Sequence, residues 1–202
     1  MARTESTMML PIGARIPVFR LPDTDHRMYG PEDFHDKDGL LVMFICNHCP
    51  YVKWVRAELA RLGRDLQARN VGVVAIMSND VAQYPEDAPE QMAIEKDAAG
   101  YSFPYLYDRD QQTAIAFGAA CTPDFFLFDR NRELYYRGQL DDSRPNSSIP
   151  VTGRDLRNAV EAMLRGDPPP SHQKPSMGCN IKWRPGNEPA YYRQAVGVTQ
   201  PK

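Results

Sequence analysis

Apolar positions divide the chain into short runs and stripes of distinct period. Gly39 opens Leu40-Leu41-Val42-Met43-Phe44-Ile45, apolar throughout and without alternation. Such a run suits a strand buried on both faces, as in a central parallel sheet. Val71 to Ser78 has the same character, and Tyr105 to Tyr107 reads as a short third strand. Between the first two, Val52, Val55, Leu59, Leu62 and Leu66 recur at steps of three and four. That is one apolar stripe on a helix, with Lys53, Arg56, Glu58, Arg61 and Arg64 lying off it. Pro50 fits the first helical position, where a missing N–H costs nothing, so Cys49 stands at the N-cap.

Arg15 to Leu21 reads as a strand, followed by a turn at Asp23-Thr24-Asp25. Ser78-Asn79-Asp80 is a polar break, and a looser segment with Pro85 and Pro89 leads into a helix from Pro89 to Ala99, closed by Gly100. Asp110 caps a short helix from Gln111 to Phe117, ended by Gly118. Phe125 to Phe128 and Leu134 to Gly138 flank the turn 129–132 as an antiparallel hairpin. Thr152 or Gly153 starts a last helix with Leu156, Val160, Met163 and Leu164 on its apolar side. Strands alternating with helices, then a hairpin and a closing helix, predict an α/β fold with a mixed central sheet flanked by helices. The expected domain is 1–165, with a strand extension at its start. From Gly166 onward, Pro168-Pro169-Pro170, Pro175, Pro185 and Pro189 argue against regular structure. Residues 166–202 therefore read as an extended tail packing on the domain or on a neighbour, which leaves a homodimer open.

Composition narrows the function classes. Lys and Arg total 24 against 26 Asp and Glu, a net charge of −2, so no general attraction to nucleic acid or anionic lipid is expected. No segment approaches the ~20 apolar residues that cross a bilayer. The first fifteen residues carry no long apolar run behind a basic end, so the expectation is a cytoplasmic chain without a secretory signal.

The four cysteines are Cys46, Cys49, Cys121 and Cys179. That is too few for a disulfide scaffold in a chain of this size, and Cys-x-x-Cys in a reducing compartment points to redox chemistry or metal. A helix N-terminus carries about half a positive charge and unpaired N–H groups, which favour a thiolate over a thiol. Cys49 is accordingly the candidate nucleophile and Cys46 a candidate resolving thiol. Lys53 and Arg56 in the first turn add positive potential. His48 either tunes the thiolate or faces solvent. Cys121 reads best as a small buried hydrophobe. A metal reading draws on Cys46, Cys49 and His48, but a closed zinc site wants a second close pair, so neither resident metal nor cofactor is expected.

The segment Met43-Phe44-Ile45-Cys46-Asn47-His48-Cys49-Pro50 resembles the active-site entry of the thioredoxin-like superfamily. It is most similar to the branch of alkyl hydroperoxide reductases and thiol-specific antioxidants, the peroxiredoxin-like proteins. The likeness runs from Ile12 to about Arg165 and implies a thioredoxin-like fold. It also implies that Cys49, five positions after Phe44, is the nucleophile. Gly118-Ala119-Ala120-Cys121-Thr122-Pro123-Asp124 is similar to the loop that carries a cis-proline opposite the active cysteine. The resemblance thus implies a cis Thr122-Pro123 bond on a loop facing the substrate. Ser176-Met177-Gly178-Cys179-Asn180-Ile181-Lys182-Trp183 resembles a tail found in a subgroup sharing the Asn-His-Cys-Pro-Tyr sequence, and Cys179 is a second candidate resolving thiol.

The departures are specific. Peroxiredoxins carry Thr or Ser three before the reactive cysteine and Pro seven before; here Cys46 and Val42 stand there. Pro123 takes the place where they tend to have Arg. The thioredoxin pattern puts a second cysteine three after the nucleophile, where this chain has Val52. The expectation is thiol–disulfide exchange with a protein or small-molecule disulfide, supported by a reducing thiol system. Peroxide reduction, and non-enzymatic copper or zinc carriage or degenerate binding on the same fold, are the alternatives.

Overall fold

The computed structural model describes residues 3–195. In chain order the strands and helices are β1 (Arg3–Glu5), β2 (Leu21–Pro22), β3 (Met28–Tyr29), β4 (Gly39–Phe44), α1 (Pro50–Ala68), β5 (Val71–Met77), α2 (Pro89–Ala99) and β6 (Tyr105–Tyr107). There follow α3 (Gln112–Phe117), β7 (Cys121–Thr122), β8 (Asp124–Asp129), β9 (Leu134–Gly138), α4 (Arg154–Arg165), β10 (Met177–Asn180) and α5 (Ala190–Ala195). The main sheet has the order β6-β5-β4-β8-β9. β4 runs parallel to β5 and antiparallel to β8, so the sheet is mixed.

β4 sits at the centre with every residue buried, which explains its unbroken apolar run. Its side chains alternate between the two faces. Leu41, Met43 and Ile45 pack with the α1 stripe (Val52, Val55, Leu59, Leu62, Leu66) and with Leu156, Val160 and Met163 of α4. Leu40, Val42 and Phe44 pack on the other face with Phe117, Phe126, Phe128, Ile181 and Trp183. Truncating one such residue, Leu59 to Ala, would cost roughly 2–5 kcal/mol. No helix of the described residues is long and apolar enough to cross a membrane.

Two expectations change. Arg15 to Leu21 is not a strand: Arg15 makes one isolated bridge to Glu133, and only Leu21–Pro22 is strand. Pro17 lacks the donor a ladder needs, and Val18 is 90% exposed. The tail is not irregular throughout. Its prolines bracket a Pro-free window, 176–184, and β10 forms inside it. β10 lies between β1 and β7 in a second, three-stranded sheet. The part of the expected tail beyond residue 195 lies outside the described residues.

Candidate active site

Ile45 extends β4 by donating its N–H to Ile76 O at 3.0 Å, and the chain then leaves the sheet. Cys46 to Cys49 form the loop between β4 and α1. Cys49 is the N-cap of α1, with extended φ and ψ of −64° and 123°, and Pro50 takes the first helical position. Lys53 N–H donates to Cys49 O at 2.9 Å, the first bond of the helix.

One carboxylate shapes this loop. Asp87, fully buried in the turn Pro85–Asp87, accepts from Asn47 N–H at 2.9 Å and His48 N–H at 3.3 Å. Its other oxygen accepts from Asn79 Nδ2 at 2.7 Å and lies 2.6 Å from His48 Nδ1. A carboxylate only accepts, so His48 Nδ1 carries the proton. The imidazole is 9% exposed and stacks on Tyr84 at 5.3 Å. His48 thus holds the loop rather than facing solvent. Asn47 adds bonds to Glu86 O and from Tyr105 Oη at 2.9 and 3.1 Å.

The second wall is the segment Cys121 to Pro123, whose Thr122-Pro123 peptide is cis. Cys49 Sγ lies 3.2 Å from Thr122 O, to which the protonated thiol donates. Cys46 Sγ lies 3.4 Å from Thr122 Oγ1. The third wall is β10, antiparallel to β7 with Cys179 opposite Thr122 and Asn180 opposite Cys121. Ser176 Oγ donates to Pro123 O at 2.6 Å. Cys46 and Cys49 of one loop and Cys179 of the distant tail therefore converge, and all four cysteines are free.

Their electrostatics differ. Donation from the Cys179 thiol, then from Cys46, pulls the Cys49 thiol well below the usual range; burial opposes and the Val52 N–H assists. Burial pushes the Cys46 thiol up, and its bond to Cys49 adds to that. Cys179 is raised first by its bond to Cys49 and then by burial. The two neighbouring thiols thus favour ionisation of Cys49 over their own. Lys53, expected to add positive potential, is exposed, and Arg56 pairs with Glu95 at 3.4 Å. Cys121 is buried, raised by burial, and bonded weakly to Pro123 O at 3.7 Å, in keeping with a packing role.

Ligand atoms of Cys46, His48 and Asp87 lie within 4.8 Å of one another. Asp87 already accepts from three N–H groups besides the His48 ring, so a cation there would have to displace bonds that hold the loop. Sequence reasoning missed Asp87 and Asn79. Both stand far from Cys49 in the chain, and an Asp in a Pro-flanked turn carries no signal of what it accepts.

A protein from Geobacillus kaustophilus described as an uncharacterized conserved protein superposes with a TM-score of 0.89 at 52% identity, covering 92% of this chain and 98% of that one. The "Putative Thioredoxin" of Neisseria meningitidis matches at TM-score 0.58 and 22% identity, over 74% of this chain and 89% of that one, which shows the thioredoxin-like fold. The "Putative peroxiredoxin" of Mycobacterium tuberculosis (strain CDC 1551 / Oshkosh) is 28% identical over 116 residues, 57% of this chain and 68% of that protein. The Redoxin family model matches residues 11–156, a stretch that holds β4, the Cys46–Cys49 loop, α1 and the cis-proline segment. A thiol redox centre on a thioredoxin-like scaffold is what those elements build together, and this chain belongs to the redoxin family.

Proposed function

We propose that the chain performs thiol–disulfide exchange through Cys49, with Cys46 or Cys179 as the resolving thiol. The observation that carries this is one sulfur at the start of α1 with two thiol donors against it. The thiolate is the attacking species, and a disulfide sulfur is its electrophile. Residues 1–165 supply the reactive loop and the cis-proline segment, and the tail 166–202 supplies Cys179. A small-molecule or protein disulfide is the oxidant, and a reducing thiol system of the cytoplasm restores the thiols.

Trapping tests it. A Cys46→Ser/Cys179→Ser protein, offered a disulfide, accumulates a mixed disulfide at Cys49 that the wild type does not retain. A protein that forms no adduct at Cys49 would refute the reading.

Peroxide reduction is the second reading, favoured by the likeness to a protein named as a peroxiredoxin. Here the Cys49 thiolate attacks a peroxide oxygen and becomes a sulfenic acid, which a neighbouring thiol condenses to a disulfide. Position 123 offers a proline where peroxiredoxins tend to have the arginine that polarises the peroxide bond. Stopped-flow oxidation separates the readings: a rate no faster than free cysteine leaves disulfide exchange alone.

A further inference from the structure

Cys49 is 0% exposed, although the proposed function makes it the reactive group. What covers it is part of the same chain. β10 lies as an added antiparallel strand on the edge of Cys121–Thr122 and brings Cys179 opposite Thr122, whose carbonyl touches the Cys49 sulfur. An extended peptide that docks on a sheet edge gains affinity from backbone bonds and specificity from alternate side chains. β10 has that geometry, with a cysteine at the position facing the nucleophile.

The fit is close. A Cβ on Gly178 would overlap Thr122 O, so only glycine lets the tail approach this edge. Ser176 fastens the strand to Pro123 O, and β1 covers its outer edge, with Thr4 opposite Gly178. Beyond the strand, Lys182 N–H donates to Asn79 Oδ1 at 2.8 Å, and Asn79 Nδ2 in turn donates to Asp87. The tail is thereby tied to the same carboxylate that holds His48 and the loop.

We propose that the Cys121–Thr122 edge is a docking edge for an extended, cysteine-bearing segment, that β10 is its resident occupant, and that Cys179 is the resolving thiol. This rests on Cys49 being the nucleophile. With a low-molecular-weight disulfide RSSR′, Cys49 thiolate forms the mixed disulfide Cys49–S–S–R and expels R′S⁻. Cys179 gives its proton to R′S⁻ and attacks the Cys49 sulfur. The Cys49–Cys179 disulfide forms and RS⁻ leaves. The cysteine pair is oxidised by one electron pair, and RSSR′ is reduced to its two thiol components. Both substrates need the Cys49 sulfur uncovered. A protein disulfide needs the whole edge and so competes with β10 along its length, whereas a small disulfide needs only Cys179 to move aside.

The test uses the full chain and two substrates, oxidised glutathione and insulin. Peptide mapping of the glutathione-oxidised wild type is expected to show Cys49 joined to Cys179. Cys179→Ser is expected to hold the glutathione adduct on Cys49. Gly178→Val should unseat β10. If the edge is free less than a tenth of the time in the wild type, the insulin rate relative to the glutathione rate rises about tenfold or more. A Cys49–Cys46 disulfide in the wild type, rapid loss of the adduct in Cys179→Ser, or an unchanged substrate ratio in a folded Gly178→Val protein would overturn the proposal while leaving Cys49 as nucleophile. If Cys49 gives neither adduct nor disulfide in any variant, the functional reading beneath it fails as well. Should Gly178→Val not fold, the map and the Cys179→Ser adduct still decide the resolving role.

Discussion

At the residue scale the site depends on donors aimed at one sulfur. Removing the largest of them should be measurable. Cys179→Ala takes away the thiol that contributes most to holding Cys49 as an anion. The thiolate absorbance of the reduced protein is then expected to titrate at higher pH, nearer the ~8.5 of a free thiol. An unmoved titration would mean that the α1 N-terminus alone sets the charge. Asp87 acts differently, through the loop and not through the sulfur. Asp87→Ala leaves the N–H groups of Asn47 and His48 and the Asn79 amide without their acceptor in a buried place. The expected loss is about 3 kcal/mol of stability, read from urea unfolding of reduced protein. Cys49 was legible from the sequence because its signal is local: a buried strand, a short loop, a proline and a helical stripe. The Asp87 acceptor was not, because its loop partners Asn47 and His48 stand 40 and 39 residues upstream in the chain, and only folding joins them.

At the element scale, apolar period found the central strands within a residue of their ends and α1 at its start, since these elements are defined by buried apolar side chains. It missed what polar residues do when buried. Glu58 lies off the α1 stripe yet is buried, accepting from Arg61 at 2.7 Å and bridging Arg157 of α4 at 2.7 Å. It ties α1 to α4 from a position that the stripe assigns to solvent. Gly63, also in α1, is set by packing: a Cβ there would stand 2.5 Å from Phe103 Cδ1. Gly63→Ala normally gains helix propensity, by about 1 kcal/mol. Here overpacking is expected to outweigh that gain, with a net loss of about 1–2 kcal/mol seen as a lower unfolding midpoint. The strand inside the tail escaped for a related reason. Proline content describes the segment as a whole, but a strand needs only its own few N–H groups, and 176–184 keeps them.

At the scale of the whole molecule, the buried thiols make stability depend on pH in an unusual window. Cys46 and Cys121 both have their ionisation pushed up by burial. In the unfolded chain each would lose its proton near pH 8.5, while in the folded chain each keeps it. Above that pH the unfolded state binds fewer protons, so unfolding becomes easier as pH rises, by about 1.4 kcal/mol per pH unit for each thiol. Cys179 acts in the same direction. Cys49 has the opposite sign. Its lowered ionisation stabilises the fold above the unfolded thiol value, and that contribution is lost only as pH falls through its folded value. Between about pH 8.5 and 10 the Cys49 contribution is constant, and the protonated thiols control the slope. Urea midpoints of fully reduced protein should therefore fall steadily across this interval. Cys121→Ala removes one thiol that lies outside the reactive cluster, and it should make the fall shallower without altering the Cys49 titration. A slope unaffected by that substitution would show that Cys121 ionises in the folded chain as it does in the unfolded one, contrary to its place in the core beneath the cis-proline.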